Sequence, residues 1–165
     1  MSKTEQFLKD AFAGESQANR KYLAFAAAAD KEGYPQAARL FRAAAEAETI
    51  HAHNHLRVLK GIGNTKDNLN EAIEGETHEF VSMYPEMIEA ANSEGNKEAE
   101  RTFRYANEVE KIHASLYKDL LNSLDGVKET YSYYVCPVCG YTAEKEPPEK
   151  CPVCGTKGDL FRKID

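Results

Sequence analysis

EAETIH (46–51) and EVEKIH (108–113) decide how the chain reads. Each places a glutamate three residues ahead of a histidine, inside a segment otherwise made of good helix formers. Positions i and i+3 share a helical face, so Glu48 lies with His51 and Glu110 with His113. The similarity extends well beyond six residues. EGYPQAARLFRAAAEAETIH (32–51) aligns with EGNKEAERTFRYANEVEKIH (94–113) at a constant offset of 62, and GES at 14–16 echoes GET at 75–77. A repeat of this kind predicts two helix hairpins related by a pseudo-twofold axis.

Working outward, Ala, Glu, Lys, Leu and Arg dominate the first 125 residues, and glycine and proline punctuate them at KEGYP (31–35), GIGN (61–64), SEGN (93–96) and DG (125–126). This predicts four helices, roughly 4–30, 36–60, 67–92 and 97–124. The connection at 60–66 is the longest, as expected of one that crosses a bundle. The inward stripes read Leu8, Phe12, Glu15, Tyr22, Ala26; Phe41, Ala44, Glu48, His51, Leu59; Leu69, Ile73, Glu76, Phe80, Met83, Met87; and Phe103, Ala106, Glu110, His113, Tyr117, Leu121. Every helix therefore carries a carboxylate on its apolar side.

A buried carboxylate must protonate, pair or bind a metal. Arg39, Arg42, Arg101 and Arg104 lie a turn or more away and mostly off the stripes, so no matching cations are available. A single E-x-x-H is usually a solvated surface pair. Four inward glutamates and two inward histidines in register across a repeat are the donor set of a di-iron or di-manganese ferritin-like bundle. His55 reads as packing at the bundle end, and His53 and His78 as surface. Glu79 breaks the symmetry: it follows Glu76 by three, whereas Ala18 stands at the matching place after Glu15. Glu79 and His51 are expected to be alternative ligands for one metal in different redox states. The alternative is that Glu79 accepts a hydrogen bond from behind the ligands.

The tail changes character. After a linker at 127–134, short β-type pieces alternate with Pro/Gly turns, and all four cysteines fall in two CPVCG units, as Cys136, Cys139, Cys151 and Cys154. Two C-x-x-C pairs read as a tetrahedral metal site, iron or zinc, rather than a disulfide framework. Gly140 and Gly155 permit the backbone turn that aims amide groups at sulfur, and Tyr133, Tyr134, Tyr141 and Phe161 could wrap the site in aromatic surface. A tail this small needs a metal staple. The expected division is a bundle over 1–128 and a metal-bound domain over 131–165. The net charge of −6 argues against a nucleic-acid binder. The longest apolar run, 22–29, is too short to cross a membrane. Polar residues near the start leave no export signal, and free thiolates suit a reducing cytoplasm.

GESQANRKY, EAETIH, GETHEFVSMYPEM, EVEKIH and YYVCPVCGY…CPVCG, in this order over essentially the whole chain, resemble the rubrerythrin family. The resemblance implies a mainly α fold: a ferritin-like four-helix bundle followed by a small, β-rich, rubredoxin-like domain. It implies two irons in an oxo/carboxylate-bridged site and one Fe(Cys)4 per chain, with zinc a possible substitute. It also implies a peroxidase that reduces hydrogen peroxide to water, drawing electrons from rubredoxin or an NAD(P)H-dependent reductase, in oxidative-stress defence. By position, Glu15 and Glu76 resemble terminal ligands, Glu48 and Glu110 bridging carboxylates, and His113 a fixed imidazole. His51 and Glu79 match the pair between which the other iron moves. Tyr22 and Tyr84 fall where the family keeps tyrosines beside the irons, as hydrogen-bond donors or as packing. The resemblance implies a homodimer, either with one subunit's cysteine tail lying against the other subunit's helices or with helices exchanged through 60–66. The rival functions are a ferroxidase or iron-storage protein and a non-enzymatic electron carrier.

Overall fold

Helix boundaries follow from local chemistry at each end. The computed structural model describes residues 2–126 and 129–165. Helix α1 (Lys3–Lys31) starts where the Ser2 hydroxyl accepts a hydrogen bond from the Glu5 amide at 3.1 Å. It stops at Gly33, whose φ of 81° few other residues tolerate, with the Tyr34 amide reaching back to the Ala29 carbonyl at 2.8 Å. Pro35 then opens α2 (Pro35–Val58).

The same cap recurs one repeat later. Gly95 has φ 70°, the Asn96 amide reaches the Ala91 carbonyl at 2.9 Å, and the Asn96 side chain caps α5 (Lys97–Ser123) through the Ala99 amide. The sequence repeat is therefore also a repeat of turn geometry.

The third predicted helix is α3 (Thr65–His78), a π turn over Glu79–Met83, and α4 (Tyr84–Ser93). Pro85 has no amide hydrogen to give an α-helical partner. The chain absorbs this by inserting one residue per turn, and the Tyr84 amide reaches the Glu79 carbonyl, five residues back. The extra residue rotates everything downstream. Met87, expected to face inward, is exposed, while Tyr84, Ile88 and Ala91 turn in.

The chain divides into two units, one up to Gly63 and one from Asn64 onward. In the first, α1 and α2 pack along a seam of small residues: Ala26 and Ala29 against a heptad row of Ala38, Ala45 and Ala52. Small side chains let the two backbones approach closely. The buried Asn19 bridges the seam, donating to the Ala45 carbonyl at 2.7 Å and the Thr49 hydroxyl at 2.8 Å. In the second unit, α5 packs against α3, the π turn and α4, and touches the C-terminal sheet. That sheet has the order β2-β1-β3, all antiparallel, from β1 (Tyr133–Val135), β2 (Thr142–Glu144) and β3 (Arg162–Ile164). The boundary expected at residue 128, and the first two residues of the 127–134 linker, lie outside the described residues. Among the described residues, no helix is long and apolar enough to cross a membrane.

Gly158 is the tightest point of the cysteine-bearing segment. A Cβ there would clash with the Pro148 carbonyl oxygen, a backbone atom that cannot swing aside. Gly158→Ala is expected to destabilise this segment by about 1–3 kcal/mol. The helical circular dichroism should be unchanged, and a chelator should strip metal from the cysteines faster than in wild type.

Candidate metal centres

In the first unit, α1 supplies Glu15 and α2 supplies Glu48 and His51; their donor atoms lie within 4.8 Å of one another. In the second, α3 supplies Glu76 and α5 supplies Glu110 and His113, again within 4.8 Å. The i,i+3 spacing does what helical geometry requires. His51 Nδ1 lies 2.8 Å from Glu48 Oε2, and His113 Nδ1 lies 2.7 Å from Glu110 Oε2 and 3.8 Å from Glu76 Oε1. Among the described residues no lysine or arginine pairs with any of these carboxylates. Arg42 is engaged with Asp30 and Arg104 with Glu100.

The second set shows what this crowding costs. Burial, then the neighbouring Glu110 charge and a hydrogen bond to it, push Glu76 up to about 7. Glu79 is also raised, by burial and by Glu110. Burial and the charges of Glu79, Glu110 and Glu76 raise Tyr84. The Glu110 hydrogen bond raises His113 against the opposing effect of burial. Carboxylates that are hard to ionise together, with an imidazole among them and no cation nearby, match the donor chemistry of a divalent metal.

The remaining candidates fall as follows. Glu79, at the start of the π turn, lies outside the three-donor cluster but close enough to feel Glu110. Tyr84 stacks on Phe103 with ring centroids 6.3 Å apart, beside the carboxylates. Tyr22 packs on Phe25 and Phe41, each at 6.3 Å, and its hydroxyl makes no hydrogen bond among the described residues. His53 and His78 are exposed and His55 is half-buried. Two neighbours were not singled out from sequence. Tyr117, on the predicted inward stripe, is raised by burial and by the charges of Glu76 and Glu110. Thr142, in β2, places its hydroxyl 3.0 Å from His113 Nε2. Both line a cavity of about 250 Å³ with His113, Leu116, Leu120 and Tyr133. Stripe position could have marked Tyr117; nothing local to the sequence marks Thr142.

The four cysteines are free thiols in two matching knuckles. In each, the first cysteine's amide donates across the turn, Cys136 to Tyr141 O at 2.8 Å and Cys151 to Thr156 O at 2.7 Å. Gly140 and Gly155, at φ 85° and 77°, close the turns by donating to the Cys136 and Cys151 carbonyls. Sulfurs of opposite knuckles meet at 3.5 Å, Cys136 with Cys154 and Cys139 with Cys151. Backbone amides point at the sulfurs: Tyr141 at Cys139, Val153 and Cys154 at Cys151, and Thr156 at Cys154. Burial alone would push Cys154 up, but the Thr156 hydroxyl and amide outweigh it and bring the thiol down to about 6. Burial outweighs the amide donors at Cys139 and Cys151 and pushes both thiols up, so a bound cation is what would let these sulfurs ionise together; four convergent sulfurs fit an Fe(Cys)4 centre.

A pH dependence follows for the metal-free protein. A Glu76 pKa of about 7, against an ordinary value of 4.5, means the folded state binds more protons than the unfolded one between those values. Stability should then fall as pH rises through that window. Thermal melts of chelated protein should show this decline from about pH 5 to about pH 7.5. Glu76→Gln should flatten it, and a bound divalent ion, which needs the ionised carboxylate, should reverse it.

The Rubrerythrin family model matches residues 6–121, and the model for the rubrerythrin rubredoxin-like domain matches 134–162. Rubrerythrin-2 of Clostridium acetobutylicum is 45% identical, covering 96% of this chain and 95% of that protein. Nigerythrin of Nitratidesulfovibrio vulgaris is 38% identical over 96% of this chain and 85% of that protein. A structure of nigerythrin in its fully reduced, all-ferrous state matches with a TM-score of 0.61 at 35% identity, covering 99% of this chain and 88% of that one. The fold class is thus mainly α, a ferritin-like helical region with a rubredoxin-like C-terminal segment. The glutamate–histidine clusters supply a di-iron carboxylate site, and the cysteines a rubredoxin-like one. On its sequence, its fold and both donor sets, the chain belongs to the rubrerythrin family.

Proposed function

We propose that the protein is a non-haem di-iron peroxidase that reduces hydrogen peroxide to water. Its electrons are drawn from NAD(P)H by a reductase, directly or through a rubredoxin, and enter at the cysteine domain. The observation that carries this reading is the presence, on one chain, of carboxylate–imidazole donor sets without lysine or arginine partners among the described residues, and of a four-sulfur site whose neighbouring strand residue Thr142 lies 3.0 Å from His113. An iron-storage protein needs no electron-input module, and a simple electron carrier needs no paired glutamate–histidine sets.

Iron bound at these donors supplies the electrons and the oxygen-binding positions needed to cleave a peroxide bond. Glu15 and Glu76 would act as terminal ligands, Glu48 and Glu110 as bridges, and His113 as the fixed imidazole. The asymmetry of the two histidines supports roles that differ. His113 is held at both ring nitrogens and its side chain is 27% exposed, whereas His51 is held at Nδ1 alone and is 53% exposed. A ring with one tether is free to leave a metal, and Glu79, at the start of a π turn and within reach of Glu110's charge, is the carboxylate that would take its place in this reading. Tyr84, whose hydroxyl is kept protonated by its surroundings, can donate a hydrogen bond to a carboxylate or a departing oxygen. Tyr22 can do the same if its hydroxyl turns toward the ligands.

A homodimer in the reducing cytoplasm fits the same reading. Each hairpin offers three donors of its own. Leu23, Phe25, Leu40 and Ile50 stand exposed on the first hairpin. The division into a bundle over 1–128 and a cysteine domain over 131–165 belongs to this proposal.

The test is steady-state turnover. Iron-loaded protein with NAD(P)H and a reductase should consume peroxide continuously, and Cys136→Ser should abolish this. The chemically reduced variant should still consume a single charge of peroxide. Iron accumulation in large soluble particles without sustained peroxide loss would favour storage instead. Glu79→Ala should lose the ligand exchange: X-ray absorption should show the same iron surroundings in both oxidation states of the variant, and different ones in wild type. A wild-type site whose ligands never change would end the exchange proposal.

A further inference from the structure

We propose that the Thr142 hydroxyl is a positioning group that holds the proton of His113 on Nε2, and so commits Nδ1 to the metal side of the ring. The proposal rests on reading Glu76, Glu110 and His113 as metal donors.

Thr142 leaves the first cysteine knuckle at the start of β2, opposite Val135 in the sheet. Its Oγ1 lies 3.2 Å from the Gly140 carbonyl and 3.0 Å from His113 Nε2. A hydroxyl has one proton, and a carbonyl can only accept. The Thr142 proton therefore goes to Gly140, and only its lone pairs remain for His113. Nε2 must then be the donor. The Gly140 carbonyl is a further acceptor for the ring. On the opposite edge, Nδ1 lies among the carboxylate oxygens, 2.7 Å from Glu110 and 3.8 Å from Glu76. A cation there takes Nδ1, while Nε2 keeps its hydrogen on Thr142. A metal-bound histidine is commonly oriented in this way by an acceptor on its other nitrogen.

The sequence twin of His113 provides an internal control. His51 has the same i,i+3 glutamate at 2.8 Å, but its Nε2 has no hydrogen-bond partner among the described residues. Of the two knuckles, the first leads into Thr142 and lies beside α5 at His113. The repeat thus makes two equal imidazoles, and the appended domain fixes one of them.

The test uses cobalt(II) as the probe ion in the full chain, with the cysteine-site charge-transfer band as the check that the tail is folded. Each cobalt-bound imidazole shows a paramagnetically shifted N–H proton. In wild type the His113 proton should exchange with solvent at least ten times more slowly than the His51 proton. Thr142→Val and Thr142→Ala should bring the two rates together and weaken cobalt binding at the His113 donors by about tenfold or more. Thr142→Ser, which keeps the hydroxyl, should restore both. Unchanged exchange and affinity in the valine and alanine variants would overturn the proposal while leaving the metal site intact, and so would a serine variant that behaves like valine. A wild-type chain that binds no cobalt at the glutamate–histidine donors would remove the reading of the site, and this proposal with it.

Discussion

Negative charge placed where it cannot be neutralised by protein is the constraint from which the rest follows. Glu76, Glu79 and Glu110 share one small volume of the second unit, and no lysine or arginine pairs with them among the described residues. Helical periodicity makes this unavoidable: the residues that point inward are the ones that carry charge. Such a cluster is tolerable in two ways, by taking up protons or by taking up a cation. The raised carboxylates show the first way. The second relieves the repulsion without protons and turns a liability for stability into affinity for metal.

How the sequence conveyed this is uneven, and the unevenness has a physical pattern. Whatever depends on spacing within one element was legible. The glutamate–histidine pairs, the glycine-terminated hairpins and the two cysteine knuckles follow from dihedral preferences and helical rise, which act over a few residues. The π turn at Glu79–Met83 was half-legible: Pro85 announces a disturbed helix, but whether the chain kinks, breaks or inserts a residue depends on what packs around it. Its consequence, Met87 turned outward and Tyr84 turned in, could not be read from a regular stripe. The contact between His113 and Thr142 was not legible at all. The two residues are 29 apart and belong to segments with unrelated periodicities. Thr142 looks in sequence like any strand threonine.

The π turn and the repeat also bear on each other. The first unit has a plain helix where the second has the inserted residue, and Ala18 where the second has Glu79. A duplicated hairpin would give two metals identical surroundings. One carboxylate, one bulge and one appended knuckle are enough to make them different.

Under the proposed peroxidase reading that difference matters, because a catalyst moving two electrons to one bond gains from metals that are not equivalent. One position should hold its ligands and keep the site assembled. The other should be able to change them as its charge changes. His113, tethered on both sides and partly covered by the cysteine segment, has the properties of the first; His51, half-exposed with one tether, has those of the second. The cysteine segment would then have a structural effect on the di-iron donors apart from any role as an electron inlet. By supplying the acceptor for one imidazole and not the other, it breaks the symmetry that the repeat imposes.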